Sequence, residues 1–172
     1  MQGIVLRAET SADLAFLQDL YATTREREMA FLVSWTGAQK VEFLNSQFDA
    51  QHQHYTRHYP NAAFSIIERD QQRIGRFYVA TLTRQVVLMD ITLLPVERNS
   101  GIGTQLCQDL IAAATRQKKV VSLHVEDDNP ARRLYDRLGF VEIAEVTFYK
   151  LMHWIPPGLQ HVSDQIAAEL DS

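Results

Sequence analysis

A single cysteine, Cys107, stands in the whole chain, so no intrachain disulfide can form. Basic excess is missing as well. Seventeen Lys and Arg face 21 Asp and Glu, a net charge of −4 that argues against a general nucleic-acid binder with its usual basic face. A local basic patch for phosphates is compatible with that total. No apolar run approaches the roughly 20 residues of a membrane helix, so no membrane partner is expected. The stretch from Met1 to Arg7 has neither a secretory apolar core nor a cleavage site, which makes the cytoplasm the expected location. Internal repeats and low-complexity segments are absent. What is there, 172 residues with 46% hydrophobic and 22% charged content, suits one domain with a single core.

Along the chain, Gly3 to Arg7 reads as a short first strand. Thr10 or Ser11 can cap a helix carrying Leu14, Leu17, Leu20, Tyr21 and Thr24 at helical spacing. The run Arg25-Glu26-Arg27-Glu28 is a solvated face. Thr36 can cap a long second helix with Val41, Leu44, Phe48 and Tyr55 along one side, ending near His58. Three strand-like runs follow, Ala62 to Arg69, Arg73 to Thr83 and Val86 to Leu94, joined by polar turns as an antiparallel meander. A helix over Thr104 to Gln117, a strand over Val120 to Val125, a short helix and a last strand over Val146 to Trp154 complete residues 1–154 as one domain. The expected class is α/β (α+β), with a mixed, mostly antiparallel sheet flanked by helices. Residues 155–172 form a C-terminal extension. Its Ile155-Pro156-Pro157-Gly158 breaks the chain, and Val162, Ile166 and Leu170 mark a short helix for docking on the domain or on a second subunit.

The segment Arg98-Asn99-Ser100-Gly101-Ile102-Gly103 lies between an apolar strand and a helix, where an anion can be held. The first turn of a helix has N–H groups without intrahelical partners, and glycine lets an anion approach the backbone. Thr104 and Gln105 after Gly103 exclude a Walker-type loop, which needs Gly-Lys-Ser/Thr. Leu106 stands where a dinucleotide fingerprint needs its third glycine or alanine. A plain strand-to-helix turn is the simpler alternative. Further on, Val120 to Val125, then Glu126-Asp127-Asp128-Asn129-Pro130-Ala131-Arg132-Arg133-Leu134-Tyr135 and Leu138-Gly139-Phe140, read as strand, loop, short helix and stop. Asp128 or Asn129 can cap that helix, Pro130 suits its first position, and Gly139 its exit.

These two motifs, in this order and at this separation, resemble the GNAT superfamily of N-acetyltransferases. The resemblance implies a GNAT-like acyl-coenzyme A fold, in which a parallel strand pair splays into a wedge. It implies acetyl-coenzyme A as co-substrate and an amine acceptor, of a small molecule or peptide, attacking directly in a ternary complex. The pyrophosphate would meet N–H groups from Asn99 to Thr104 (Asn99, Ser100, Gly101, Ile102, Gly103 and Thr104), with Arg98 adding charge, and Arg132 would be a further cofactor-binding residue. The pantetheine arm would pair with Ile91, Thr92, Leu93 and Leu94, and the N–H of Leu93 or a neighbour would polarise the thioester. Tyr135 matches the family tyrosine beside the sulfur and would protonate the departing thiolate; the alternative is core packing with Ala131, Leu134 and Leu138. Asn129 matches the family residue that bonds the pantetheine, or it merely caps the helix. Within the loop, Asn99 and Ser100 replace the glycine and basic residue common in the family, which bears on cofactor affinity.

An alkyl amine is mostly protonated at neutral pH, so its proton needs an acceptor. His124 and Asp90 are the candidates, with water as the alternative. His124 alternates with Leu123 and Val125, and Asp90 with Met89 and Ile91. His52, His54 and His58 are read as a polar helix face rather than a metal site, because no His-Glu-x-x-His pattern accompanies them. Cys107 falls on a helix's apolar stripe with Leu106, Leu110 and Ile111, which favours packing over a covalent route. A non-catalytic acyl-coenzyme A module is the competing class, and a homodimer is compatible with the tail stripe.

Overall fold

The structure, a computed structural model, describes residues 3–170. Strands β1 (Ile4–Ala8), β2 (Ala63–Arg69), β3 (Gln72–Thr81), β4 (Gln85–Leu93), β5 (Val120–Glu126), β6 (Val141–Val146) and β7 (Tyr149–Trp154) pair in the order β1-β2-β3-β4-β5-β7-β6. Helices α1 (Leu14–Thr23), α2 (Glu26–Phe31) and α3 (Gly37–His58) precede β2. Helix α4 (Ile102–Arg116) joins β4 to β5, α5 (Arg132–Leu138) follows β5, and α6 (Gln160–Ala168) closes the order. The sheet is mixed and mostly antiparallel, with β4 and β5 parallel, in keeping with the expected class. Two compact units partition the chain: residues up to Tyr78 with Asp90–Arg98, and Val79–Met89 with the chain from Asn99 onward.

In the first unit β1 runs antiparallel to β2, from Ile4↔Arg69 to Ala8↔Ser65. Asp70 and Gln71 turn the chain into β3 with φ of 49° and 63°, the left-handed pair that a two-residue hairpin loop demands. Leu17 and Tyr21 of α1 pack with Leu44 and Phe48 of α3 and Ile66 of β2. Thr36 and Gln39 bond reciprocally at the start of α3, a capping box. The apolar stripe of α3 begins one turn later than expected, because Val41 is exposed. The charge run from Arg25 opens α2, with an exposed Arg25–Glu28 pair.

Before α1, Thr10 caps a single 3-10 turn, Ser11–Asp13. The Asp13 carboxylate is buried, takes 2.8 Å bonds from both terminal nitrogens of Arg7 and the backbone N–H of Thr10, and meets Arg73 at 3.3 Å. Arg7's hydrogen bonds, helped by Thr10, hold that carboxyl well below the usual range against the opposing effect of burial.

In the second unit, α4 carries the crossover that a parallel β4–β5 pair needs. Ile102, Leu106, Cys107 and Ala114 form its buried side. The end of the domain differs from expectation. Instead of one last strand over Val146 to Trp154 there are two, because Thr147 takes φ 59° and folds β6 back onto β7, with Val146 facing Tyr149. Strand β7 then sits between β5 and β6. Helix α5 begins at Arg132, two residues after the expected Pro130. Helix α6 buries Ser163 and Ile166, and the Ser163 hydroxyl lies 2.7 Å from Nδ1 of the fully buried His153. Arg84 also reaches α6, through Gln165 and Glu169.

Candidate active site

The glycine segment is built as an open helix entrance. A 3-10 turn, Pro95–Glu97, ends the extended chain after β4. Asn99 then takes φ 60° and Gly101 φ 86°, and Gly101 caps α4. Asparagine tolerates that left-handed conformation, which glycine adopts without penalty. A Cβ added to Gly101 would meet nothing within 4 Å, so the space beside the cap is open. The N–H of Gln105 bonds the Gly101 carbonyl and starts the helical ladder, so the amides of Ile102, Gly103 and Thr104 are the first-turn donors that precede it. The 15 residues of α4 align their peptide dipoles toward this end.

Strand β4 reaches that turn from a parallel pairing with β5. The β4–β5 ladder runs from Gln85↔Val120 to Val87↔Ser122 among the described residues. Strand β5 runs on to Glu126, paired with β7 as far as Glu126↔Tyr149.

Further along β4, in the first unit, Ile91 to Leu94 are half-buried. The Leu94 N–H donates to the Ile74 carbonyl at 2.8 Å, so that donor is spent on β3. By strand alternation the Leu93 N–H points the opposite way. The Leu93 carbonyl accepts from Nε of Arg98 at 3.0 Å, while Nη2 of Arg98 reaches the Thr23 hydroxyl at 3.0 Å. Arg98 thus clasps the strand end to α1 and is not a guanidinium swinging in solvent. Gly75 lets β3 come close here: a Cβ on it would lie 2.3 Å from the Thr92 carbonyl oxygen.

Asp90 is committed to a buried ion pair. Arg76 donates to it through Nε at 3.1 Å and Nη2 at 2.7 Å; Thr92 adds its hydroxyl at 2.7 Å and Tyr55 its own at 3.4 Å. Arg76 lies between the rings of Phe48 and Tyr78 and also donates to Gln51 at 2.8 Å. Burial alone would lower the Arg76 pKa, but Asp90 outweighs it and the guanidinium stays charged. Nearby, Tyr78 donates to Glu9 at 2.5 Å, and His52 approaches the same carboxylate at 3.6 Å. Burial pushes the Tyr78 hydroxyl well above its ordinary value. Sequence reading missed Arg76 and its neighbours. The available signal was an arginine inside the apolar run Ile74-Gly75-Arg76-Phe77-Tyr78, which a buried strand keeps only with a partner.

In the second unit, His124 lies opposite Leu151 on β7. Its side chain reaches solvent, while partial desolvation lowers its pKa from the ordinary histidine value and so favours the neutral form that can accept a proton. Tyr135 is buried, its ring 5.6 Å from that of Phe140. The Asn129 side-chain oxygen accepts from the Ala131 N–H at 2.9 Å, which shapes the turn before α5 and leaves the amide nitrogen as its remaining donor. Arg132 is divided between Asp127 and Glu142, and Lys150 bridges Glu142 and Glu145, so the charge of Arg132 is already matched. Cys107 is buried in α4, and burial pushes its thiol up to about 12, which disarms it as a nucleophile. The His54 and His58 rings lie 4.1 Å apart at a tilt of 32°, while His52 turns to Glu9. Among the described residues no three metal-ligating side chains converge.

A protein-family model described as "Acetyltransferase (GNAT) family" matches residues 21–140. No curated protein matches the chain. Among solved structures, PaiA N-acetyltransferase from Thermoplasma acidophilum in complex with coenzyme A superposes with a TM-score of 0.65 at 14% identity, covering 88% of this chain and 98% of its own. An acetyltransferase from Streptococcus agalactiae gives 0.62 at 17% identity, with 90% and 99% covered. Spermidine N-acetyltransferase from Vibrio cholerae in complex with CoA and spermine gives 0.59 at 20% identity, with 89% and 94% covered. At these identities the superpositions establish a shared fold.

Proposed function

Since the chain belongs to the GNAT acetyltransferase family, and is thus an N-acetyltransferase with acetyl-coenzyme A as co-substrate, we propose that its acceptor is a primary amine of a small molecule or peptide. The amine attacks the thioester directly in a ternary complex. One observation carries this reading: strand β4, paired in parallel with β5, leads through a 3-10 turn into a helix whose N-terminus is capped by a left-handed Gly101 with open space beside it.

In this proposal the amides from Asn99 to Thr104 hold the pyrophosphate, and Arg98 contributes charge while its clasp on Leu93 persists. The pantetheine pairs along Ile91 to Leu93, because the Leu94 N–H and carbonyl are already engaged with Ile74 and Glu97. The outward N–H of Leu93 polarises the thioester carbonyl, a type of contact whose loss costs about 3 kcal/mol of barrier. Asn129 donates its amide nitrogen to the pantetheine, and Tyr135 returns a proton to the departing thiolate. His124, neutral at working pH, takes the proton of the amine. The high thiol pKa of Cys107 supports direct attack over a covalent relay.

Calorimetry with coenzyme A, followed by thiol release from acetyl-coenzyme A over an amine panel, tests the reading. Polyamines head that panel, because the similar Vibrio cholerae enzyme carries spermine. Thiol release with at least one amine is the expected result. Tight coenzyme A binding without turnover on any amine would make the chain an acyl-coenzyme A binding module. No binding at millimolar coenzyme A would end both.

A further inference from the structure

We propose that Asp90 is a positioning residue rather than a base: with Arg76, Tyr55 and Thr92 it forms a strut that fixes the end of β4. The inference rests on the acetyl-transfer reading for its catalytic consequence, since that strand end is where the thioester is to be polarised.

Geometry carries it. A carboxylate offers about four lone-pair sites. Asp90 meets four donors: two from Arg76, one from Thr92 and one from Tyr55. No vacancy is left for the proton of a substrate. The pair is also enclosed. The Arg76 side chain is 3% exposed, its guanidinium lying over the Phe48 and Tyr78 rings and tied to Gln51 of α3.

The strut acts on the backbone because Asp90 and Thr92 lie on one face of one strand and share a carboxylate oxygen, Oδ1, with Arg76. That fixes the chain from Asp90 to Thr92 from the α3 side. Gly75 accommodates the Thr92 carbonyl, Ile74 holds the Leu94 N–H, and Arg98 holds the Leu93 carbonyl. The outward N–H of Leu93 is therefore aimed by its neighbours on both sides. Aim matters, since a misplacement of about 1 Å can cost about 100-fold in rate.

Two variants test this. Asp90→Asn keeps the size and removes the charge, and Thr92→Val removes one donor at nearly constant shape. Readouts are amide hydrogen exchange at Ile91 to Leu94, calorimetric affinity for coenzyme A, and kcat and KM with a polyamine across pH. For Asp90→Asn we expect exchange faster by about 10-fold or more, kcat lower by about 30-fold, coenzyme A affinity within about twofold, and an acid limb unmoved. Thr92→Val should show the same split at about fivefold in kcat, and it decides alone if Asp90→Asn does not fold. Loss of the acid limb with unchanged exchange would make Asp90 the base and overturn the strut. So would unchanged exchange and kcat, or a loss of coenzyme A affinity as large as the loss of kcat. If the wild-type chain releases no thiol with any amine, the acetyl-transfer reading fails, and exchange at Ile91 to Leu94 still decides whether the strut exists.

Discussion

The Tyr135 and Phe140 rings meet at 5.6 Å because the end of α5 forces them together. Phe140 donates its N–H to the Tyr135 carbonyl, Gly139 donates to Asp136, and Gly139 takes φ 91°. This is a Schellman exit with the apolar contact that accompanies it. The spacing Tyr-x-x-x-Gly-Phe therefore has a structural cause independent of chemistry, and the ring of Tyr135 is anchored before its hydroxyl is asked to do anything.

Removing only that hydroxyl separates the two roles. Tyr135→Phe should keep the ring contact and change stability by less than about 1 kcal/mol. Turnover should fall by about 100-fold if the hydroxyl protonates the leaving thiolate, with coenzyme A affinity nearly unchanged. Steady-state kinetics beside calorimetry checks it; unaltered turnover would leave Tyr135 as packing alone.

Gly101→Ala probes the loop without a steric clash in the free protein, since the space around it is open. The left-handed φ of 86° should cost about 1–2 kcal/mol of stability. The added methyl at the helix entrance should also weaken coenzyme A by about 10-fold. A melting curve and a titration measure the two effects separately. Affinity left intact would remove the phosphate from this turn.

His124 should set the acid side of the rate profile. Desolvation lowers its pKa, so the neutral form persists below 6.5 and activity should fade only at more acidic pH. His124→Gln should cut kcat/KM by about 100-fold and abolish that limb. A profile that retains the limb in the variant would assign the proton to water or to another group.

Much of this was legible in the chain, and the gaps have physical reasons. Glycine signals located the Gly101 cap and the Gly139 exit because few other residues take those angles cheaply. The β6–β7 hairpin was hidden because its turn uses Thr147 and Phe148 in place of glycine or asparagine, so two strands read as one. Asp13 was not singled out in the sequence. Its role depends on Arg7 and Arg73, the latter 60 positions away, and no local pattern encodes that meeting. Asp90 was recognisable as chemically notable, but not as the partner of Arg76 on the neighbouring strand.

The Asp13 site also predicts acid sensitivity. Its folded pKa is depressed, so its contribution is complete above the ordinary value of 3.8 and is lost as pH falls toward the lower folded value. Asp13→Ala, which also removes half of the Thr10 capping box, should cost about 2 kcal/mol at pH 7 and flatten the stability curve below pH 4. Urea titrations from pH 7 down to pH 3 check the sign. A variant whose stability falls as steeply in acid as the wild type would place the acid-labile group elsewhere.

Gly75→Ala is the most severe single change expected in the first unit. Its methyl would sit 2.3 Å from the Thr92 carbonyl and 2.9 Å from Cδ2 of Leu93, and the first of these is backbone, which cannot rotate away. Either β3 shifts or the end of β4 does. The cost should reach about 3 kcal/mol, the upper range for overpacking. Because the displaced segment carries the proposed thioester donor, the loss of turnover should exceed the loss of coenzyme A affinity. The comparison to make is kcat against coenzyme A affinity at a temperature where the variant is still folded. Stability and turnover both near wild type would mean that β3 has room to yield, and that the close approach of Gly75 does not hold the strand in place.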